Sequence, residues 1–285
     1  MKLLSFTVEG RRSFGAVKDG GVVDLGRRMG PEGIDGLRSL LEGGRLQDAE
    51  TIVAGRSPDW SLEHISFAPV IPDPGKIICV GLNYRDHVEE TGRTVTEKPT
   101  LFARFPCSQV GHLQPLIKPK VSDQFDYEGE VAVVIGRHGR HIAARDALRH
   151  VAGYSCYNEG SIRDWQRHTS QFLAGKTFAE SGSFGPWLVT GDEIPDPSRL
   201  SLQTRLNGQI VQDTTTDLMI TPVPELIAYI STICPLEPGD VIVSGTPGGV
   251  GARRNPPLWM KPGDTVEVEV SGIGVLRNTV VAEAE

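Results

Sequence analysis

Phe125-Asp126-Tyr127-Glu128-Gly129-Glu130-Val131-Ala132-Val133-Val134-Ile135-Gly136 joins two carboxylates to an apolar run of the kind a buried strand needs. If the stretch is extended, alternate side chains share a face, and Glu128 and Glu130 project together with Cα atoms roughly 7 Å apart. Two like charges about 4 Å apart at an effective dielectric near 20 repel by roughly 4 kcal/mol, so a buried pair needs a shared proton or a cation. The reading taken is a cation.

A second acidic centre follows in Val151-Ala152-Gly153-Tyr154-Ser155-Cys156-Tyr157-Asn158-Glu159-Gly160-Ser161-Ile162-Arg163-Asp164-Trp165-Gln166. Its first half reads as a strand and its second half does not; such junctions are favoured places for functional side chains. Glu159 stands where a third carboxylate could approach the first two. In Phe172-Leu173-Ala174-Gly175-Lys176-Thr177-Phe178 one lysine sits in apolar company, so it is either exposed or faces anionic groups.

Upstream, Lys76 to Gly81 reads as a short buried strand and Asn83 to Glu90 as the start of a helix. His87 and Glu90, three apart, face the same way on that helix. They are either a solvated surface pair or an imidazole oriented by a carboxylate. Pro99 to Arg104 reads as a strand ending in a cation, for a substrate carboxylate or an internal salt bridge. Farther on, a helix is expected over Pro224 to Ser231, hairpin turns at Asp196-Pro197 and Asn207-Gly208, and a half-exposed strand through Thr265 to Val270. Ser244-Gly245-Thr246-Pro247-Gly248-Gly249-Val250-Gly251 is glycine-rich but lacks the Gly-Lys-Ser/Thr ending of a phosphate-binding loop.

The N-terminal part alternates short apolar runs with turns at Glu9-Gly10 and Asp19-Gly20-Gly21, then shows helical spacing from Leu37 to Ala54. Prolines at 69, 72 and 74 then punctuate the chain. This predicts a small β/α domain over 1–70 and a larger one over 71–285. Net charge of −7, from 29 Lys plus Arg against 36 Asp plus Glu, gives no basic field for nucleic acid. No apolar run approaches the roughly 20 residues of a membrane span, and no signal peptide is read. The four cysteines form no Cys-x-x-Cys pair and suit reduced thiols in a cytoplasmic protein.

Together, Val80 to His87, Asp126 to Glu130, Gly153-Tyr154, Arg163 to Gln166, Gly175-Lys176 and Ser244 to Gly251 resemble, in order, the fumarylacetoacetate hydrolase family over roughly residues 71 to 285. The resemblance implies an α+β fold, mainly β: a sandwich-like roll, preceded here by the small β/α domain, that usually forms a homodimer. It implies a divalent cation, Mg²⁺ or Mn²⁺, on Glu128, Glu130 and Glu159. Glu159 departs from the aspartate most relatives have there. All-oxygen ligation favours these hard ions over zinc. The resemblance also implies His87 and Glu90 as an acid/base dyad on a closing helix, with Lys176, Arg163, Gln166 and Thr246 lining the pocket.

Family members act on 2-oxo acids, and the expected reaction is hydrolysis of an acylpyruvate such as fumarylpyruvate or maleylpyruvate. Glu90 would orient His87, His87 would deprotonate water, and Lys176 or Gln166 would stabilise the oxyanion. Decarboxylation, hydration or isomerisation through the same enolate are the alternatives, and a non-catalytic scaffold is a third reading. Arg85, Arg104, Arg167, His168 and Arg253 are the candidates to meet a second substrate carboxylate, each of them otherwise a solvated or structural charge, and Arg104 is taken as substrate-binding.

Overall fold

The computed structural model describes residues 1–284. The fold is mixed α+β and mostly sheet, as the sequence predicts. Val131, Val133 and Ile135 of the Gly129–Ile135 strand enter one core, against Leu202, Val268 and the Val223–Ile233 helix. Ala132 and Val134 enter another, against Leu3, Phe14, Leu37 and Leu40. A strand covered on both faces needs apolar residues at successive positions, which explains the unbroken run Val131 to Ile135.

Around this strand runs a twelve-stranded sheet. On one side it pairs antiparallel with Val151–Asn158, with Glu130 opposite Tyr157 and Gly129 opposite Asn158. On the other it pairs with Val241–Val243, which in turn lies parallel to Ile77–Gly81. The strands of residues 1–70 extend the same sheet, since Lys2–Val8 pairs with Gly182–Thr190. A five-stranded sheet containing Ser201–Leu206, Gln209–Thr215 and Thr265–Val270 packs across the Gly129–Ile135 strand.

Two expected elements are interrupted. The stretch 125–136 is not one strand: Phe125–Asp126 pairs with Ser161–Ile162 in a separate ribbon, and the main strand resumes only at Gly129. Tyr127 and Glu128 lie in the crossing between the two. Leu37 to Ala54 is likewise two helices, Leu37–Glu42 and Leu46–Ala54, parted at Gly43-Gly44 where the helical pattern meets poor helix formers.

Close packing fixes the residue between the two glutamates. A Cβ on Gly129 would lie 2.0 Å from Thr204 Oγ1 of the facing sheet. Gly129→Ala is therefore expected to cost about 1–3 kcal/mol through overpacking, measured as a lower urea midpoint at unchanged slope.

Candidate active site

Glu128 and Glu159 are brought together by backbone pairing. The Glu159 N–H donates to the Glu128 carbonyl at 2.8 Å, and the Glu128 N–H donates to the Asn158 side chain at 3.1 Å. Glu130 follows at the start of the strand, and carboxylate oxygens of all three, each buried, lie within 4.8 Å of one another. The Gly245 N–H donates to Glu130 Oε2. Gly245 adopts φ +105°, and a Cβ there would stand 2.7 Å from Asn83 Cβ, so only glycine presents that N–H here.

Cations arrive on two short helices. From Arg163–Gln166, Arg163 Nε donates to Asp126 at 2.7 Å, and its Nη2 lies 2.6 Å from Glu128 Oε1. From Leu173–Lys176, Lys176 Nζ contacts Glu128 Oε2 and reaches Glu159 Oε2 at 2.7 Å. Four carboxyl groups, Asp126, Glu128, Glu130 and Glu159, thus face two contacting cations, two fewer than full ionisation of the cluster would need. Glu159 Oε1 is buried with no hydrogen-bond partner. An oxygen-only cradle with an orphaned acceptor and more carboxyls than contacting cations fits a divalent cation.

The ionisation of these groups follows from the same arrangement. Burial drives Glu130 well above the ordinary glutamate value, and the charges of Glu159 and Glu128 add to the rise. Glu159 is raised by burial against the pull of Lys176. For Glu128, burial is outweighed by Arg163 and Lys176, and its carboxyl is held low. Burial would lower Lys176, but Glu128 and Glu159 hold it above the ordinary lysine value.

His87 and Glu90 stand on the Arg85–Thr91 helix, with His87 Nδ1 and Glu90 Oε1 2.7 Å apart. The glycine-rich loop anchors that helix: Gly249 N–H donates to Glu90 Oε2 at 2.9 Å and Gly248 N–H to Asp86 at 3.1 Å. Asn83 fixes the helix start by donating to the Ser244 carbonyl at 2.8 Å. His87, the three glutamates, Lys176, Arg163, Gln166 and Thr246 line one cavity of about 490 Å³. The histidine is buried, so the surface-pair reading does not describe it.

One expectation changes. Arg104 does not line the cavity; its guanidinium is buried and donates to Ser108, the Gly160 carbonyl and Ser181, which makes it a structural cation. Lys176 spends two of its three ammonium donors on Glu128 and Glu159 and lines the cavity, which leaves one donor for a cavity occupant. Thr246 Oγ1 donates to the Gly129 carbonyl and accepts from Gln212, which ties the loop to the strand. The sequence reading gave no role to Asp126, yet it accepts from Arg163 and from Gly251 and Ala252 N–H. An acid inside a run of buried-type residues was the available signal.

The family description "Fumarylacetoacetate (FAA) hydrolase C-terminal" matches residues 76–281. The chain belongs to this family. Among its relatives is "Oxaloacetate tautomerase Fahd2a, mitochondrial" of Rattus norvegicus, 42% identical over 265 residues, 92% of this chain and 84% of that protein. A solved structure described as a putative HpcE protein from Mycobacterium smegmatis is 34% identical, with a TM-score of 0.89 and full coverage of both chains. The fumarylacetoacetate hydrolase of psychrophilic Exiguobacterium antarcticum is 37% identical, with a TM-score of 0.86 over 99% of this chain and 100% of that one. The fumarylacetoacetate hydrolase family comprises enzymes, hydrolases and isomerases or tautomerases among them. Among the described residues no helix is long and apolar enough to cross a membrane.

A raised carboxyl pKa stabilises the fold below it and loses that stabilisation as pH climbs. In metal-free protein, the wild type should lose stability relative to Glu130→Gln as pH rises above about 4.5, the ordinary glutamate value, with urea titrations at several pH values as the readout. Saturating Mn²⁺ should remove this loss in the wild type only.

Proposed function

We propose that this chain is a divalent-metal-dependent enzyme that forms and reprotonates the enolate of a 2-oxo acid, and that its reaction is keto–enol tautomerisation of a 2-oxo dicarboxylate, with oxaloacetate the first substrate to test. The observation that carries this reading is His87, which opens into the same cavity as the acidic cradle with its Nδ1 held by Glu90. Similarity to oxaloacetate tautomerases over nine-tenths of the chain supports it.

Glu128, Glu130 and Glu159 would hold Mg²⁺ or Mn²⁺. Such an ion supplies Lewis-acid stabilisation of the negative charge that grows on a 2-oxo acid's oxygens. The proton work belongs to the chain. With Nδ1 held by Glu90, His87 has Nε2 left to exchange a proton with a cavity occupant. Nε2 takes the proton from the carbon beside the carbonyl, the C–H electrons form the carbon–carbon double bond, and the carbonyl pair moves onto oxygen. The proton held on the imidazolium then passes to that oxygen, and the reverse sequence returns the ketone. Glu90 stabilises the imidazolium and fixes its orientation, and the backbone of Gly249 fixes Glu90.

Hydrolysis of an acylpyruvate is the second reading, and one observation favours it. Gln166 Oε1 accepts from Arg163 Nη1 at 2.9 Å, which leaves Gln166 Nε2 as a donor for an oxyanion without help from Lys176. His87 would then deprotonate water instead of carbon.

Enol absorbance with oxaloacetate and pyruvate release from fumarylpyruvate or maleylpyruvate separate the two. His87→Gln should lower the rate of enol interconversion by about 10²–10⁴-fold with an unchanged circular dichroism spectrum. Gln166→Ala should leave tautomerisation nearly intact. Full tautomerase activity in His87→Gln would sink the mechanism, and rapid pyruvate release by wild type without enol interconversion would favour the second reading.

A further inference from the structure

Strand pairing stops at Asp126 and resumes at Gly129, and across that break the chain meets the glycine-rich loop. Asp126 is wholly buried. One of its oxygens accepts from the Gly251 N–H at 2.8 Å; the other accepts from the Ala252 N–H at 2.9 Å and from Arg163 Nε at 2.7 Å. Tyr127, equally buried, donates its hydroxyl to the Gly249 carbonyl at 3.1 Å and accepts from Arg254 Nε at 3.0 Å. Arg254 Nε also reaches the Gly249 carbonyl at 3.2 Å, and its Nη2 donates to the Val211 carbonyl.

Gly249 is thereby held from both sides. Its carbonyl takes Tyr127 and Arg254, while its N–H donates to Glu90 Oε2 at 2.9 Å. The other oxygen of Glu90 lies 2.7 Å from His87 Nδ1, so one peptide unit and one carboxylate connect the Tyr127 hydroxyl to the imidazole. Asp126 fixes the same loop two residues later. Through Arg163 it joins the loop to Glu128 and to Gln166. The packing leaves little slack: Gly249 adopts φ +98°, a Cβ there would stand 2.3 Å from the Val211 carbonyl oxygen, and a Cβ on Gly251 would stand 2.6 Å from Asp126 Oδ1. If packing alone were at stake, apolar side chains would fill two wholly buried positions without a carboxylate and a phenol that need partners.

We propose that Asp126 and Tyr127 are positioning residues for the proton transfer: together they fix the glycine-rich loop against the strand that carries Glu130, and the loop sets where the His87–Glu90 pair stands relative to the acidic cradle. The proposal rests on the reading that His87 exchanges a proton with an occupant of the cavity. Neither residue lines the cavity, so both act through the loop, and Asp126 also through Arg163. A misplacement of about 1 Å at the reacting groups can cost roughly a hundredfold in rate, which makes such a clasp consequential without any contact with substrate.

Two variants test this, each read by kinetics, by Mn²⁺ calorimetry and by hydrogen–deuterium exchange of the whole chain. Asp126→Asn keeps the shape and removes the charge; Tyr127→Phe removes only a hydroxyl, and carries the test alone if the first variant does not fold. With Mn²⁺ and oxaloacetate, kcat for enol interconversion should fall about tenfold or more in Asp126→Asn and about threefold or more in Tyr127→Phe, with KM and Mn²⁺ affinity in Tyr127→Phe within about twofold of wild type. In both, amides of residues 248–252 and of the Arg85–Thr91 helix should exchange faster, while those of Gly129–Ile135 keep their protection. Wild-type kcat in Tyr127→Phe overturns the proposal and leaves the tautomerase reading standing. Exchange that rises equally in the Gly129–Ile135 strand, with kcat falling only as Mn²⁺ binding is lost, also overturns it, because that pattern marks general destabilisation. If wild type shows no enol interconversion, the tautomerase reading falls. Unchanged exchange in the Arg85–Thr91 helix of Tyr127→Phe overturns the clasp whether or not turnover is seen.

Discussion

Charge balance inside the acidic cradle constrains this structure more than any other interaction. Removing a carboxylate from water costs several kcal/mol, and four of them clustered in the interior are tolerable only if cations face them closely. Arg163 binds Asp126 and Glu128, Lys176 binds Glu128 and Glu159, and Glu130 is left with a backbone N–H from Gly245. The remaining negative charge is what gives the pocket an affinity for a divalent ion, so the feature that strains the fold is also the feature that equips it.

The surrounding architecture serves this cluster. Antiparallel pairing of Gly129–Ile135 with Val151–Asn158 sets Glu128 beside Glu159 through a backbone hydrogen bond, so their separation does not depend on flexible side chains alone. The two strands are covered on both faces by apolar cores, which holds them in place. The cations come from one-turn helices immediately after, and the glycine-rich loop connects the cradle to the His87 helix through Gly245, Gly248 and Gly249. The cavity is lined by buried acidic glutamates, by His87 and by exposed arginines.

Some of this was legible in residue order. The spacing of Glu128 and Glu130 before an apolar run announced a buried acidic pair, and the period of the 265–270 stretch announced a strand buried on one face, which its alternating exposure bears out. His87 and Glu90 were visible as neighbours because three residues along a helix always bring side chains together. The glycine-rich loop was visible as a loop without phosphate-binding character. Each of these features depends on backbone geometry over a few residues, which local sequence controls.

Residue order could not say which charges would meet. Arg104 and Arg163 are both arginines beside strands, yet the first is buried among neutral oxygens and the second holds two carboxylates. Lys176 lies 48 residues from Glu128 in the chain and in contact with it in space. The break at Tyr127-Glu128 arises because Phe125–Asp126 finds a different partner strand, Ser161–Ile162. The sequence by itself determined most of the strands, the His87 helix and the set of chemically useful side chains, since propensity and periodicity act locally. Only the tertiary structure decided the pairing of ions, the contact of Asp126 and Tyr127 with the glycine-rich loop, and the position of His87 over the cradle. Electrostatic partners are chosen by distance and burial, and both come from contacts between segments far apart in the chain.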